Sequence, residues 1–290
     1  MFKGVKQNDK ISMTFKKWEI NYCNIVMSAI LDKSNICAVF LTDNKYFPKF
    51  IYTCGQLLNN GKYKGDICLV VGDDLNEKMN KTQLEFIEKN NIIVKYFPNI
   101  KFSDEFLQSQ QKMDRAGKGT HWFAKRFQFH KFHLFNVYFK QWNNIFYLDC
   151  GITINKDVSP MLELFEKNTL LAHSDAYPYY KWKLHDQFRS PTNTECFNKL
   201  NAKYNLNIDY CQTTIMLYDT NIIETDTYDM ILNLLFEYPI SITNDQGIIA
   251  LYFTNIKPLF KQIKTKDEKS YFYDYLPRGV SRDKYIMLKS

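Results

Sequence analysis

Four short polar clusters carry the residue types that could do chemistry. Thr42-Asp43-Asn44, Asp149-Cys150-Gly151 and His173-Ser174-Asp175 each close an apolar run, and Asn244-Asp245-Gln246-Gly247 precedes another. An open α/β sheet binds its ligands beyond the carboxyl ends of its strands, where the strand order reverses. A carboxylate in such a place accepts hydrogen bonds from ligand hydroxyl and N–H groups. Each cluster also has a plainer reading. Asp43 can cap the helix after it, Asp245 can cap a helix over 246–253, and Asp149 can be a structural strand-end carboxylate. Two cations, Arg126 and Lys131, precede Asp149 on a helically spaced segment. They suit a phosphate, Lys as a point charge and Arg as a fork, or they line a solvated helix face. His130 and His133 share that segment, where FHKFH among aromatics reads as packing rather than ligation. The seven cysteines form no CxxC pair, which argues against a disulfide framework and a structural zinc site and leaves buried free thiols.

These clusters need elements to position them. Residues 36–42 (ICAVFLT) form a continuous apolar run suited to a parallel strand buried on both faces. A helix over 46–58 follows, stopped by Asn59-Asn60-Gly61. A strand over 67–71, a helix over 81–89 and a strand over 92–96 complete a Rossmann-like α/β half. Residues 100–121 are polar and irregular, with Gly117 and Gly119 near their end. They are expected to form a mobile active-site lid, ordered when a ligand is bound. Residues 123–139 return to helical spacing before a strand over 144–148. A helix over 159–167 should start with Ser159 as N-cap and Pro160 at its first position. A short strand over 170–173 leads into an aromatic segment in which Tyr177, Tyr179, Tyr180 and Trp182 either stack on a ligand or form a packed surface. A strand over 213–218 and helices over 225–238 and 245–253 follow. Residues 1–35 read as an N-terminal extension. Residues 36–290 read as one domain, with halves 36–151 and 152–290 and the second half embellished.

Four segments in order, LTDNKYFP, KFHLFNVYFKQWNNIFYLDCG, CQTTIMLYDT and NDQGIIALYF, resemble glycosyltransferase family 8, the glycogenin family. The resemblance covers about residues 36–260. It implies a GT-A fold: a Rossmann-like mixed sheet flanked by helices, with a nucleotide-sugar half and an acceptor half. It also implies transfer of a hexose from a UDP-sugar to a hydroxyl with retained anomeric configuration. On that resemblance, Leu41, Thr42, Asp43 and Tyr46 meet uridine, while Lys131 and, as a second candidate, Arg126 face the diphosphate. Asp149, Cys150 and Gly151 stand where the family has a DxD that holds manganese. Asp149 matches the first carboxylate and Gly151 replaces the second. The family's late histidine ligand has no counterpart in the stretch 284–289, KYIMLK. The expected ion is therefore a weakly held divalent cation on Asp149, or is replaced by cations such as Lys289 and Arg282. Asp245 and Gln246 match a DQG in which the Gln lies beneath the anomeric carbon. Asp175 and Gln212 match positions flanking the sugar. The DCG variant and the composition further resemble giant-virus glycosyltransferases of the mimivirus type.

Composition narrows the rest. In 290 residues, 45% are hydrophobic and 24% charged, which excludes a disordered regulator, a collagen and a coiled coil. The mean hydropathy of −0.39 and the lack of a long uncharged apolar run predict no membrane-spanning helix. No signal peptide is visible, so a cytoplasmic setting is expected, whether a host's cytoplasm or a virus-associated one. The net charge of +7 is spread along the chain and reads as a solvated surface rather than a nucleic-acid footprint. The expected partners are a nucleotide-sugar donor and a glycan or protein acceptor. The rival function is a non-catalytic nucleotide-sugar-binding module of the same fold. A nucleotidyltransferase would want a glycine-rich loop after the first strand, and LTDNKYFPKF has none.

Overall fold

The computed structural model describes residues 35–112, 126–174, 182–188, 193–263, 270–274 and 285–289. The chain divides after Asn35, and the larger compact unit is Ile36–Ser290. Strand β1 (Ile36–Leu41) is buried along nearly its whole length. It pairs in parallel with β2 (Asp66–Val71) on one side and with β4 (Asn144–Leu148) on the other. That double burial is why ICAVFL shows no polar alternation. Beyond β2 lies β3 (Ile93–Tyr96), also parallel. Beyond β4 come β7 (Cys211–Asp219) and then β6 (Leu170–Ser174), both pairings antiparallel, and β8 (Phe260–Gln262) closes that edge. The seven-stranded order is β3-β2-β1-β4-β7-β6-β8. A small second sheet, in the order β5-β10-β9, joins Thr153–Ile154, Tyr285–Lys289 and Ser270–Asp274. The mixed α/β sheet is the one the motifs imply, and its order reverses between β1 and β4.

Helix α1 (Phe47–Asn59) connects β1 to β2. It has a proline at its start and buries Phe47, Phe50, Thr53, Cys54 and Leu57, an apolar stripe at helical spacing. Gly61 ends it, because a Cβ there would stand 2.6 Å from the Leu57 carbonyl oxygen. Helix α2 (Lys81–Lys89) has an Asn80–Gln83 capping box. Gln83 also donates to the Asn44 side chain at 3.0 Å, and the Asn44 N–H donates to Asp74 at 2.7 Å. The turn after β1 is thus braced by the turn after β2.

Several expectations are corrected. The stretch read as an irregular lid contains helix α3 (Asp104–Lys112). Among its described side chains Phe106 and Leu107 dock it, a narrow apolar patch, with Phe106 packed on Phe102 and Phe236. Residues 113–121 of the expected lid lie outside the described residues. The expected helix over 123–139 is two 3₁₀ stretches, Arg126–Phe135 and Val137–Gln141. In the first, residues 129–135 are all buried, so no single amphipathic stripe dictates 3.6-residue winding. Helix α4 spans only Ser159–Leu162 and is capped at Val158, not Ser159. The Ser159 N–H is instead held by the Asp157 side chain at 2.8 Å. Helix α5 (Thr194–Lys203), capped by Asn193, had no counterpart in the sequence reading. Helix α6 (Thr227–Glu237) and helix α7 (Asp245–Leu251) were expected, and α7 runs on as a π turn over Tyr252–Ile256.

Candidate active site

The β1–β4 reversal brings the ends of both strands to one cleft. Leu41, Thr42, Asp43, Tyr46, Phe127, Gln128, Lys131, Tyr147, Asp149 and Cys150 line it, and it encloses about 590 Å³ with its mouth included. On the β1 side, Thr42 is buried and its hydroxyl donates to the Asp43 carbonyl. Asp43 Oδ1 accepts from the Tyr46 N–H at 2.8 Å. Asp43 therefore braces the turn into α1 rather than capping the helix, whose cap position is Tyr46 with no side-chain bond, and the same residue also faces the cleft. Burial raises the Asp43 carboxyl above the ordinary carboxylate value. Cys150 is tied to the other strand end through Sγ donating to the Leu41 carbonyl. Burial pushes its thiol up, so it stays protonated.

The centre is a buried ammonium between two carboxylates. Lys131 Nζ lies 3.0 Å from Asp149 Oδ1 and 3.1 Å from Asp245 Oδ2. It also donates to the Thr213 carbonyl at 3.1 Å and contacts Thr213 Oγ1 at 3.2 Å. The Lys131 and Asp245 side chains are 6% and 4% exposed, against 29% for Asp149. The solvated-face reading of Lys131 is overturned. Burial alone would depress its pKa, but Asp149 and Asp245 reverse that, so the ammonium is held above the ordinary lysine value. Burial raises Asp245, partly offset by Lys131 and by Thr213, whose hydroxyl donates to Oδ2 at 2.8 Å. Tyr147, also pushed well up by burial and by Asp149, keeps its proton and donates it to Asp149 Oδ1 at 2.6 Å. Among the described residues both side-chain contacts of Asp149 fall on Oδ1, which leaves Oδ2 for a ligand.

Asp245 is not the cap of α7. That position is Asn244, at φ 58° and ψ −108°, and its side chain donates to Gln128. Gln246 sits one step on. Its Oε1 accepts from the Thr213 N–H at 3.3 Å and its Nε2 donates to Gln187 at 3.3 Å. Gln187 in turn donates to the Tyr210 hydroxyl at 2.7 Å and accepts from Thr243. The glycine of the DQG is required by packing, since a Cβ on Gly247 would meet Ser241 Oγ at 2.6 Å and Gln187 Cβ at 3.2 Å.

Other sequence-singled residues fall elsewhere. Arg126 lines a second cavity with Asp73, Asn99, Lys101 and His130, whereas Lys131 lines the first, and Phe127 borders both. Gln212 is buried on β7. Strand alternation turns it to the face opposite Thr213, the residue that meets Asp245. Lys289 ends β10, paired with Asp274 of β9. Asp175, Tyr177, Tyr179, Tyr180 and Arg282 lie outside the described residues. Trp182 is exposed. His133 stacks between Phe97 and Tyr228 at 4.4 and 4.6 Å, and His130 stacks on Phe127 at 4.7 Å. Burial lowers their pKa values to about 4 for His130 and about 3 for His133. Both are packed neutral rings, as the aromatic context suggested. Tyr147, Thr213, Gln187 and Gln128 were missed. Only Tyr147 left a signal, since it stands two residues before Asp149 and so points to the same face of β4.

The manganese implied by the motif resemblance does not fit these residues. With Asp149 Oδ1 taken by an ammonium and a phenol, Oδ2 is the one carboxylate oxygen Asp149 could offer, and Gly151 supplies no side chain. No cluster of three potential ligands occurs among the described residues. Likewise, no helix among them is long and apolar enough to cross a membrane.

No protein-family model and no curated protein matches this sequence. Solved structures do match. The galactosyltransferase LgtC in complex with donor and acceptor sugar analogues aligns with a TM-score of 0.52 at 10% identity, over 82% of this chain and 76% of that one. An active-site mutant of LgtC gives 0.57 at 9% identity, over 87% and 86%. The bifunctional glycosyltransferase WbbM, without ligand, gives 0.55 at 12% identity over 88% of this chain, which spans 45% of that longer one. The chain has the GT-A fold seen in family-8 glycosyltransferase structures. None of these likenesses bears on a viral source.

Proposed function

We propose that this GT-A chain is a glycosyltransferase that moves a hexose from a UDP-sugar to a hydroxyl of a glycan or protein, with retention. The observation that carries the reading is the Lys131 bridge. It ties Asp149, at the end of β4, to Asp245, at the start of α7, beside a cleft walled by Asp43 and Tyr46. The LgtC structure that holds donor and acceptor analogues supports it at the level of fold. In this reading the Tyr46 ring stacks on uracil and the Asp43 carboxylate accepts from its N–H. Asp149 Oδ2 receives a hydroxyl of the donor, and Lys131 keeps Oδ1 from competing for it. The anomeric carbon–oxygen bond to UDP breaks, a bond to the acceptor oxygen forms on the same face, and the acceptor proton leaves with UDP. Gln246 steadies the cationic anomeric centre through the partial negative charge of its amide oxygen, which the Thr213 N–H orients.

A second reading, donor binding without transfer, is favoured by one observation: the central carboxylates, Asp149 and Asp245, are already paired with Lys131. Incubation with a panel of UDP-sugars and mixed hydroxyl acceptors, read as UDP release, separates the two. Asp149→Asn keeps the shape and the hydrogen bond from Tyr147, so it should abolish UDP release while leaving the melting temperature nearly unchanged. Near wild-type turnover in that variant refutes the assignment. UDP-sugar binding by the wild type without any UDP release selects the second reading.

A further inference from the structure

The cleft has a charge problem that its own central cation does not solve. Lys131 has three N–H donors, and Asp149, Asp245 and Thr213 engage them. Among the described residues lining the cleft, Lys131 is the cation, set against the carboxylates of Asp43 and Asp149, and the buried Asp245 behind it also draws on its charge. A donor diphosphate entering there meets net negative charge. In a DxD site the second carboxylate brings a metal ion to that position, and here the position is Gly151.

What stands over Gly151 is a lysine. The Gly151 N–H donates to Thr53 Oγ1 at 2.9 Å, and Thr53 Oγ1 donates to the Ile152 carbonyl at 3.1 Å. This segment is therefore docked on one face of α1. Lys49 lies four residues before Thr53, on the same face and one turn nearer the cleft. A Cβ built on Gly151 would touch the Lys49 side chain, at Cδ, 3.4 Å away. The Lys49 ammonium rests over the ring of Tyr46, a wall of the cleft, 4.8 Å from its centroid. Its backbone is fixed, with its N–H donating to the Tyr46 carbonyl at 2.9 Å. Gly151 itself has φ +98°, a conformation that disfavours any L side chain. The backbone here is built for the lysine to pass over, not for a carboxylate to project.

We propose that Lys49 supplies the positive charge facing the donor's phosphates, in place of a carboxylate-held divalent ion, so that donor binding by this protein needs no metal. This rests on the UDP-sugar reading above. A flexible ammonium released from Tyr46 onto a phosphate oxygen exchanges a cation–π contact for a charge-assisted hydrogen bond.

The test is calorimetric titration of UDP and of uridine into the wild type, Lys49→Met and Lys49→Arg, with EDTA and with manganese. The expected result is UDP binding by the wild type that is the same in EDTA and in manganese. Lys49→Met should weaken UDP about tenfold or more, the worth of one charge-assisted hydrogen bond, and leave uridine unchanged. Lys49→Arg should restore most of the loss. UDP binding that appears only with manganese overturns the proposal while leaving the UDP-sugar reading in place. So does an equal loss for UDP and uridine in Lys49→Met, which would mark a packing role on Tyr46, or no loss at all. If the wild type binds neither ligand under either condition, the UDP-sugar reading fails and this inference fails with it.

Discussion

Replacing Lys131 with Met keeps the aliphatic stem and removes the charge that two carboxylates share. Asp149 is partly solvated and tolerates the loss, whereas Asp245 is 4% exposed and, among the described residues, keeps the Thr213 hydroxyl as its hydrogen-bond donor. Removing one member of a buried ion pair costs about 3–5 kcal/mol, because the other charge is left without compensation. For a folded unit of this size, each kcal/mol moves the melting temperature by about 2–4 °C. The variant should therefore melt about 6–20 °C below the wild type at neutral pH. The deficit should also depend on pH. Burial already raises Asp245 above the ordinary carboxylate value, and without Lys131 it rises further. A carboxyl with a raised folded-state pKa binds more protons folded than unfolded, so its contribution to stability falls as pH rises through that window. Acidification from pH 7 should thus shrink the gap between variant and wild type. Adding Asp245→Asn should recover most of the loss at neutral pH, since the double variant buries no unpaired charge. Thermal unfolding followed by circular dichroism at neutral and mildly acidic pH reads all three. A Lys131→Met melting point within about 2 °C of wild type, or a gap that widens on acidification, refutes the reasoning.

Gln246→Ala should leave the UDP dissociation constant unchanged and lower kcat about tenfold to a thousandfold, the range for one lost transition-state contact; steady-state kinetics alongside calorimetry checks it, and weakened UDP binding contradicts it. Because burial raises the Asp43 carboxyl, its ability to accept from uracil should be lost on acidification at a pH above the ordinary carboxylate value, so the UDP dissociation constant should climb there in the wild type and stay flat in Asp43→Ala. Gly151→Asp should not create a manganese requirement, since the φ of +98° strains any side chain; it should cost about 1–3 kcal/mol, read as a lower melting temperature, and a stabilised, manganese-dependent variant would refute this.

The parts of the fold visible in the sequence are those set by local pattern. The run ICAVFL, the stripe of α1 and the stop at Gly61 all follow from neighbours within one helical turn or one strand. Where tertiary contacts decide the winding, the pattern misleads. The stretch 129–135 has helical spacing but is buried all round, and Ser159 looks like a cap although its N–H is held by Asp157. The site divides the same way. Asp43, Asp149 and Asp245 stand at the ends of elements and could be picked out one by one. The residue joining the last two could be named as a candidate, but nothing near it in sequence shows that it is buried or which carboxylates it meets. Thr213 contacts Lys131 across 82 residues and Asp245 across 32. Choosing between it and Gln212 depends on which face of β7 looks toward α7.

Gly151 shows what the coordinates add to a motif. In the sequence it is a missing carboxylate, a loss with no partner. In the fold, its N–H is bound to Thr53, its φ excludes an ordinary side chain, and the Lys49 stem lies above it. A carboxylate could not be restored there by one substitution, because the turn, the helix face and the lysine are fitted to one another. The departure at residue 151 and the lysine at residue 49 are then two sides of one arrangement, in which the cation comes from α1 rather than from solution. The buried bridge at Lys131 fits the same arrangement: it holds Asp149 and Asp245 in place without a metal ion, while Lys49 stays free to move.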